Sequence, residues 1–83
     1  MPEIQKLRPS RLFLQAIRES DLSLFQKLRM RSLYLVPSLR ANIDEYIDDV
    51  VGDSTLADGA IIKIILEYLP EIMALIELLL KLL

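Results

Sequence analysis

Cysteine and histidine are both missing from the 83 residues of this chain. Their absence removes thiolate and imidazole zinc sites, disulfide frameworks, cysteine nucleophiles and the Ser-His-Asp arrangement from consideration. No Gly-rich phosphate loop occurs and no acid is paired with a base, so an enzyme is not expected, nor a cofactor, nor a small-molecule substrate. Only two Gly and four Pro punctuate the chain. No stretch is long or polar enough to be a linker and no repeat shows, which predicts a single helical domain over residues 1–83, with 1–9 extended or disordered. The opening MPEIQKLRPS lacks the charged-then-apolar pattern of a secretory signal, and a cytoplasmic location is the expectation.

What the chain has in excess is apolar surface. Hydrophobic residues make up 53% of it, and the mean hydropathy is +0.37. A chain this short buries only a little over ~60% of its unfolded surface when it folds alone. Self-association is therefore expected from composition.

The net charge of −2 hides a division. Residues 1–40 carry eight basic groups against three acids, a balance of +5, while residues 41–83 carry nine acids against Lys63 and Lys81, a balance of −7. Such asymmetry suits a basic surface for nucleic acid or anionic lipid, or two halves that attract each other within one chain or between copies. The last is the simplest reading.

Helix signals run along the whole chain. Ser10, after Pro9, is a plausible cap for "SRLFLQAIRE", and Ser20 or Asp21 for a second helix. That second stretch, "LSLFQKLRMRSLYLV", is apolar on all sides of a helical wheel, yet Lys27, Arg29 and Arg31 alternate with Leu28 and Met30 as in a strand. Helix is the preferred reading for residues 25–36, with strand as the alternative. Pro37 is awkward inside a helix and Ser38 is a good cap, so a third helix is expected to start there. Its inner face is Leu39, Ile43, Tyr46, Ile47 and Val50. Arg40, Asp44, Glu45, Asp48 and Asp49 lie outside, and Gly52 suits a left-handed C-cap. Ser54 or Asp58 can start the last helix.

Residues 61–83 hold only six residues that are not apolar: Lys63, Glu67, Pro70, Glu71, Glu77 and Lys81. Three central carboxylates would cost about 9 kcal/mol in a bilayer against about 7 returned by the apolar side chains, which disfavours a transmembrane span. The spacing is more informative. Ile62, Ile65, Leu69, Ile72, Ile76, Leu79 and Leu83 alternate steps of three and four and so hold the a and d positions of successive heptads. Leu66, Met73 and Leu80 fall at e, and Ile61, Tyr68, Leu75 and Leu82 at g. A single partner helix would leave half of that surface wet, so the rod is expected to need protein on two flanks. Lys63, Glu67 and Glu71 form a narrow solvated stripe. Pro70 predicts a kink or a break into two helices, and the continuous seam phase favours the kink. A membrane-surface helix usually meets anionic lipid with Lys and Arg, whereas this one carries three Glu and two Lys, so lipid ranks below protein packing.

Two local motifs are read as structure. Asp44, Glu45, Asp48 and Asp49 could converge on a hard cation, but the Arg-rich first half is the simpler counter-charge, and "DDVVGDSTLADG" lacks the ligand spacing of an EF-hand. "GDST" at 52–55 has the look of an esterase nucleophile block without a base or scaffold, and reads as a capped turn.

Within residues 27–69, "RSLYLVPSLRANIDEYIDDVVGDST" and the helix ending "ILEYL" resemble ribbon-helix-helix DNA-binding proteins. The resemblance consists of a short strand, a Pro near the start of the first helix, a Gly turn and a Ser or Thr cap on the second. It implies that two chains pair strands into a ribbon whose alternate side chains read the major groove. Lys27, Arg29 and Arg31 would be the readers if the strand were 27–31, with six residues then separating it from Ser38. A strand over 32–36 would turn Ser32, Tyr34 and Val36 outward instead, and the connection before the second helix is longer than the family's usual one.

The sequence thus predicts an all-α protein, a small bundle of three to four helices with a long, Pro-kinked C-terminal helix. It is expected to work as a homo-oligomer or with a protein partner through Ile62, Ile65, Leu69, Ile72, Ile76, Leu79 and Leu83. A nucleic-acid partner is the second reading, and a membrane surface the third.

Overall fold

Each helix of this chain starts and stops where the backbone chemistry allows. The computed structural model describes residues 2–52 and 55–82, which form α1 (Pro2–Glu19), α2 (Leu24–Tyr34), α3 (Pro37–Val51), α4 (Asp58–Glu67) and α5 (Leu69–Leu82). The all-α class holds, with five helices where three to four were expected, and no strand among the described residues. Helix α1 begins at Pro2 and runs through position 10, so the cap expected at Ser10 is not used and residues 2–9 are helical rather than extended. It ends where the Ser20 hydroxyl donates to the Ile17 carbonyl at 2.6 Å and Lys27 Nζ donates to the Arg18 carbonyl at 2.8 Å. Those side chains fill the acceptors that a helix C-terminus leaves open.

Helix α2 is capped by Ser23 rather than by Ser20 or Asp21. The Gln26 backbone N–H donates to Ser23 Oγ at 3.2 Å, and the Ser23 N–H donates to Gln26 Oε1 at 3.3 Å, a reciprocal capping box. Residues 24–34 are therefore helical, in the stretch where the ribbon-helix-helix resemblance implied a strand. Leu35 and Val36 turn the chain. Pro37, not Ser38, opens α3, because the first helical position lacks an acceptor for its N–H in any case. Leu39, Ile43 and Ile47 are buried as their spacing predicts, and Tyr46 and Val50 are half-buried. Gly52 ends α3 at φ 71°, with its N–H donating to the Asp48 carbonyl at 3.0 Å.

The last apolar stretch is broken, not kinked. Helix α4 starts at Asp58 after an Ala57 cap, while Ser54 lies outside the described residues. Tyr68 then joins α4 to α5: its N–H donates to the Ile64 carbonyl, and its own carbonyl accepts from the Ile72 N–H, both at 3.0 Å. Pro70 stands at the second position of α5, where a missing N–H breaks no bond. This is why the break is inexpensive and the kink does not form. The seam survives it, because Ile62, Ile65, Leu69, Ile72 and Ile76 are all buried across the two helices.

The core gathers these faces. Helix α1 packs on α4 and α2, while α3 packs on α2, α4 and α5. Tyr34 sits at the centre with 1% of its surface exposed, its ring stacked on Phe13 at 4.5 Å between centroids and 29° between planes. Its hydroxyl donates to Asp44 Oδ1, and the Arg40 guanidinium lies 5.6 Å from the ring centroid. Two exposed ion pairs join the basic and acidic halves, Arg11–Asp58 at 2.9 Å and Arg29–Glu77 at 3.2 Å. Each contributes about 0–1 kcal/mol, so their main effect is on orientation.

Candidate interaction surface

The seam residues face inward within one chain. Ile62, Ile65, Leu69, Ile72 and Ile76 are consumed by the core, Leu79 is half-buried, and Leu83 lies outside the described residues. Of the two apolar flanks beside the seam, one is covered: Leu66, Met73 and Leu80 pack partly buried against the core. The other flank emerges along α5. Leu75, Leu78 and Leu82 lie three and four residues apart on one side, with Tyr68 at the joint seven residues before Leu75, and Tyr68, Leu78 and Leu82 are 37%, 56% and 75% exposed. The chain thus supplies one of the two coverings that its terminal rod requires.

A second apolar stripe lies on α2, away from the buried Met30 and Tyr34. Leu24, Phe25, Leu28 and Leu35 are 74%, 76%, 52% and 70% exposed. A single exposed leucine needs no explanation. Four such side chains on one helix face differ in scale: at about 1.5–3 kcal/mol for each fully buried side chain, roughly 4–8 kcal/mol of hydrophobic stabilisation is left unrealised there. The sequence reading missed this stripe as a site, although the all-round apolarity of α2 was its signal.

The three candidate nucleic-acid readers do not share one face: Lys27 and Arg31 stand one turn apart on α2, and Arg29 lies on the other side. Residues two apart share one face of a strand but lie about 200° apart on a helix. Lys27 is turned to the α1 C-terminus, Arg29 to Glu77 on α5, and Arg31 to solvent beside the α2 stripe. The acidic residues of α3 are likewise divided. Asp44 turns to the Tyr34 hydroxyl and lies 3.9 Å from Arg40 Nε, while Glu45, Asp48 and Asp49 are exposed. Burial raises the Asp44 carboxyl above its ordinary 3.8, against the lowering effects of the Tyr34 hydrogen bond and Arg40; Asp48 adds a smaller upward push. Near the α4–α5 joint, desolvation followed by the nearby Glu71 and Tyr68 raises Tyr46 above its ordinary 10.0.

A shallow groove of about 380 Å³ separates the α1–α2 turn from the α4–α5 joint. Leu22, Leu66, Leu69, Pro70 and Met73 supply its apolar lining, with Glu19, Asp21 and Gln26 around them. Among the described residues, no helix is long and apolar enough to cross a membrane. No family model, curated protein or solved structure matches the chain.

Proposed function

We propose that this chain is a non-enzymatic helical interaction protein that works by associating with protein, in the first place with copies of itself, through the outer flank of α5. The observation that carries this reading is the stripe of half-buried Leu75 and exposed Leu78 and Leu82, on a helix whose opposite side packs into the core through Leu69, Ile72 and Ile76. A chain with 53% hydrophobic residues in so small a body has more apolar surface than its interior can take up. The seam inside the chain and the flank outside it divide the work: Ile65, Ile72 and Ile76 hold the fold, and Leu78 and Leu82 meet the neighbour.

Light scattering across a concentration series tests this. Wild type is expected to rise above the mass of one chain, and Leu78→Glu or Leu82→Glu to stay at that mass with the same helical circular dichroism. A wild type that remains a single chain up to about millimolar concentration, where even contacts worth only ~4 kcal/mol would register, sinks the reading.

A further inference from the structure

The outer flank of α5 needs a counterpart, and the chain carries one that matches it in spacing and in charge. Leu24, Leu28, Arg31 and Leu35 follow one another along α2 at steps of four, three and four; so do Glu71, Leu75, Leu78 and Leu82 along α5. All eight lie on the outer sides of their helices; Leu75 is half-buried and the other seven are exposed. Laid antiparallel, the two rows set Arg31 against Glu71, Leu28 beside Leu75 and Leu24 beside Leu78. We infer that the α2 stripe of one copy packs on the α5 outer flank of a second copy. This deepens the self-association proposed above and rests on it.

Charge selects this pairing over its alternatives. Residues 22–43 contain no Asp or Glu and four cations, Lys27, Arg29, Arg31 and Arg40, whereas Glu71 borders the leucines of α5. Neither Arg31 nor Glu71 makes an ion pair among the described residues. Two α2 stripes facing each other would bring Arg31 toward its twin, and two α5 flanks would do the same with Glu71 while leaving α2 in water. Contact between unlike surfaces relieves both and covers Leu24, Leu28, Leu75 and Leu78 at once. Such a contact involves few side chains, against about 20–30 residues a side in a standard interface. One alone is weak, and two made reciprocally in a closed pair share a single loss of translational freedom.

Unlike surfaces give a distinctive genetic signature, read by sedimentation velocity on the full chain. Leu28→Glu and Leu78→Glu are each expected to run as single chains with wild-type helix content. Their 1:1 mixture is expected to pair more than either variant alone at the same concentration, though more weakly than wild type, because the intact α2 of the Leu78→Glu chain docks on the intact α5 of the Leu28→Glu chain and restores one of the two contacts. Both Arg31 and Glu71 are solvent-exposed, so Arg31→Glu and Glu71→Arg leave the fold alone; each should weaken pairing several-fold, and both in one chain should restore it. If wild type associates and Leu78→Glu abolishes this, but Leu28→Glu assembles normally, the α2 pairing is wrong while association through α5 stands. A Leu28→Glu and Leu78→Glu mixture that associates no more than either variant alone, or a charge swap that fails to restore pairing, also overturns it. A wild type that is a single chain at all concentrations, or that only floats with anionic phospholipid vesicles, removes both proposals.

Discussion

Replacing Tyr34 with Phe removes one oxygen atom from the middle of the molecule and leaves almost everything else in place. The Phe ring keeps the stack on Phe13 at 4.5 Å and the approach of Arg40 at 5.6 Å, so the variant isolates the hydroxyl that donates to Asp44. A hydrogen bond to a charged group contributes about 1.5–3 kcal/mol. The Asp44 side chain retains 28% exposure, so water recovers part of the loss, and about 1–2 kcal/mol is expected. For a domain of this size that lowers Tm by about 5–15 °C. The pH dependence carries the sign. Asp44 has a folded pKa above its unfolded 3.8, so between the two values the folded state holds more protons. Its contribution to stability is therefore fully present below 3.8 and is lost as pH rises through the folded pKa. The Tyr34 hydrogen bond opposes the shift, so Tyr34→Phe pushes the Asp44 pKa higher, and stability begins to recover at a higher pH than in wild type. Asp44→Asn, whose amide oxygen still accepts from Tyr34, should match or exceed wild-type stability at pH 7 and lack this contribution on acidification. Urea unfolding followed by circular dichroism, for the two single variants and for Tyr34→Phe in an Asp44→Ala background, measures each part. An equal loss from Tyr34→Phe with and without the Asp44 carboxylate would refute the account.

Three further outcomes can be checked in the same urea series. Gly52→Ala should cost about 1–2 kcal/mol from the left-handed backbone alone, because φ is 71° and a Cβ there meets nothing within 4 Å; Gly52→Asn should cost less. Ser23→Ala should lower stability by about 0.5–2 kcal/mol through loss of the α2 capping box, and a silent substitution would count against the helix start. Ile72→Asp places an unpaired charge at a position with 0% exposure, and both helical circular dichroism and assembly should be lost together.

The parts of the fold that were legible in the sequence are those where one signal met no competitor. The inner face of α3 and its Gly52 cap are of this kind, as is the heptad seam of residues 62–76. Caps were less legible because Ser and Asp cluster at 20–23; only Ser23 has a Gln three residues on, and that second contact decided the start of α2. At position 70 both a kink and a break are legible and phase continuity favours the kink, but a proline two residues into a helix forfeits no hydrogen bond and lets the phase continue across a joint. The exposed α2 stripe was the hardest to see. Apolar residues stand on every side of its wheel, and sequence spacing does not say which of two apolar faces Met30 and Tyr34 would pull inward.

Tyr68 also governs reach. Fused without interruption over 58–82, α4 and α5 would make a rod of roughly 37 Å at 1.5 Å per residue, longer than the 33 Å greatest extent of the whole molecule. Divided at that tyrosine, this apolar stretch stays within the body's own outline. Neither piece attains the ~30 Å of a lipid hydrocarbon layer. A single-residue hinge thus holds a membrane-length hydrophobic segment to the dimensions of a protein core.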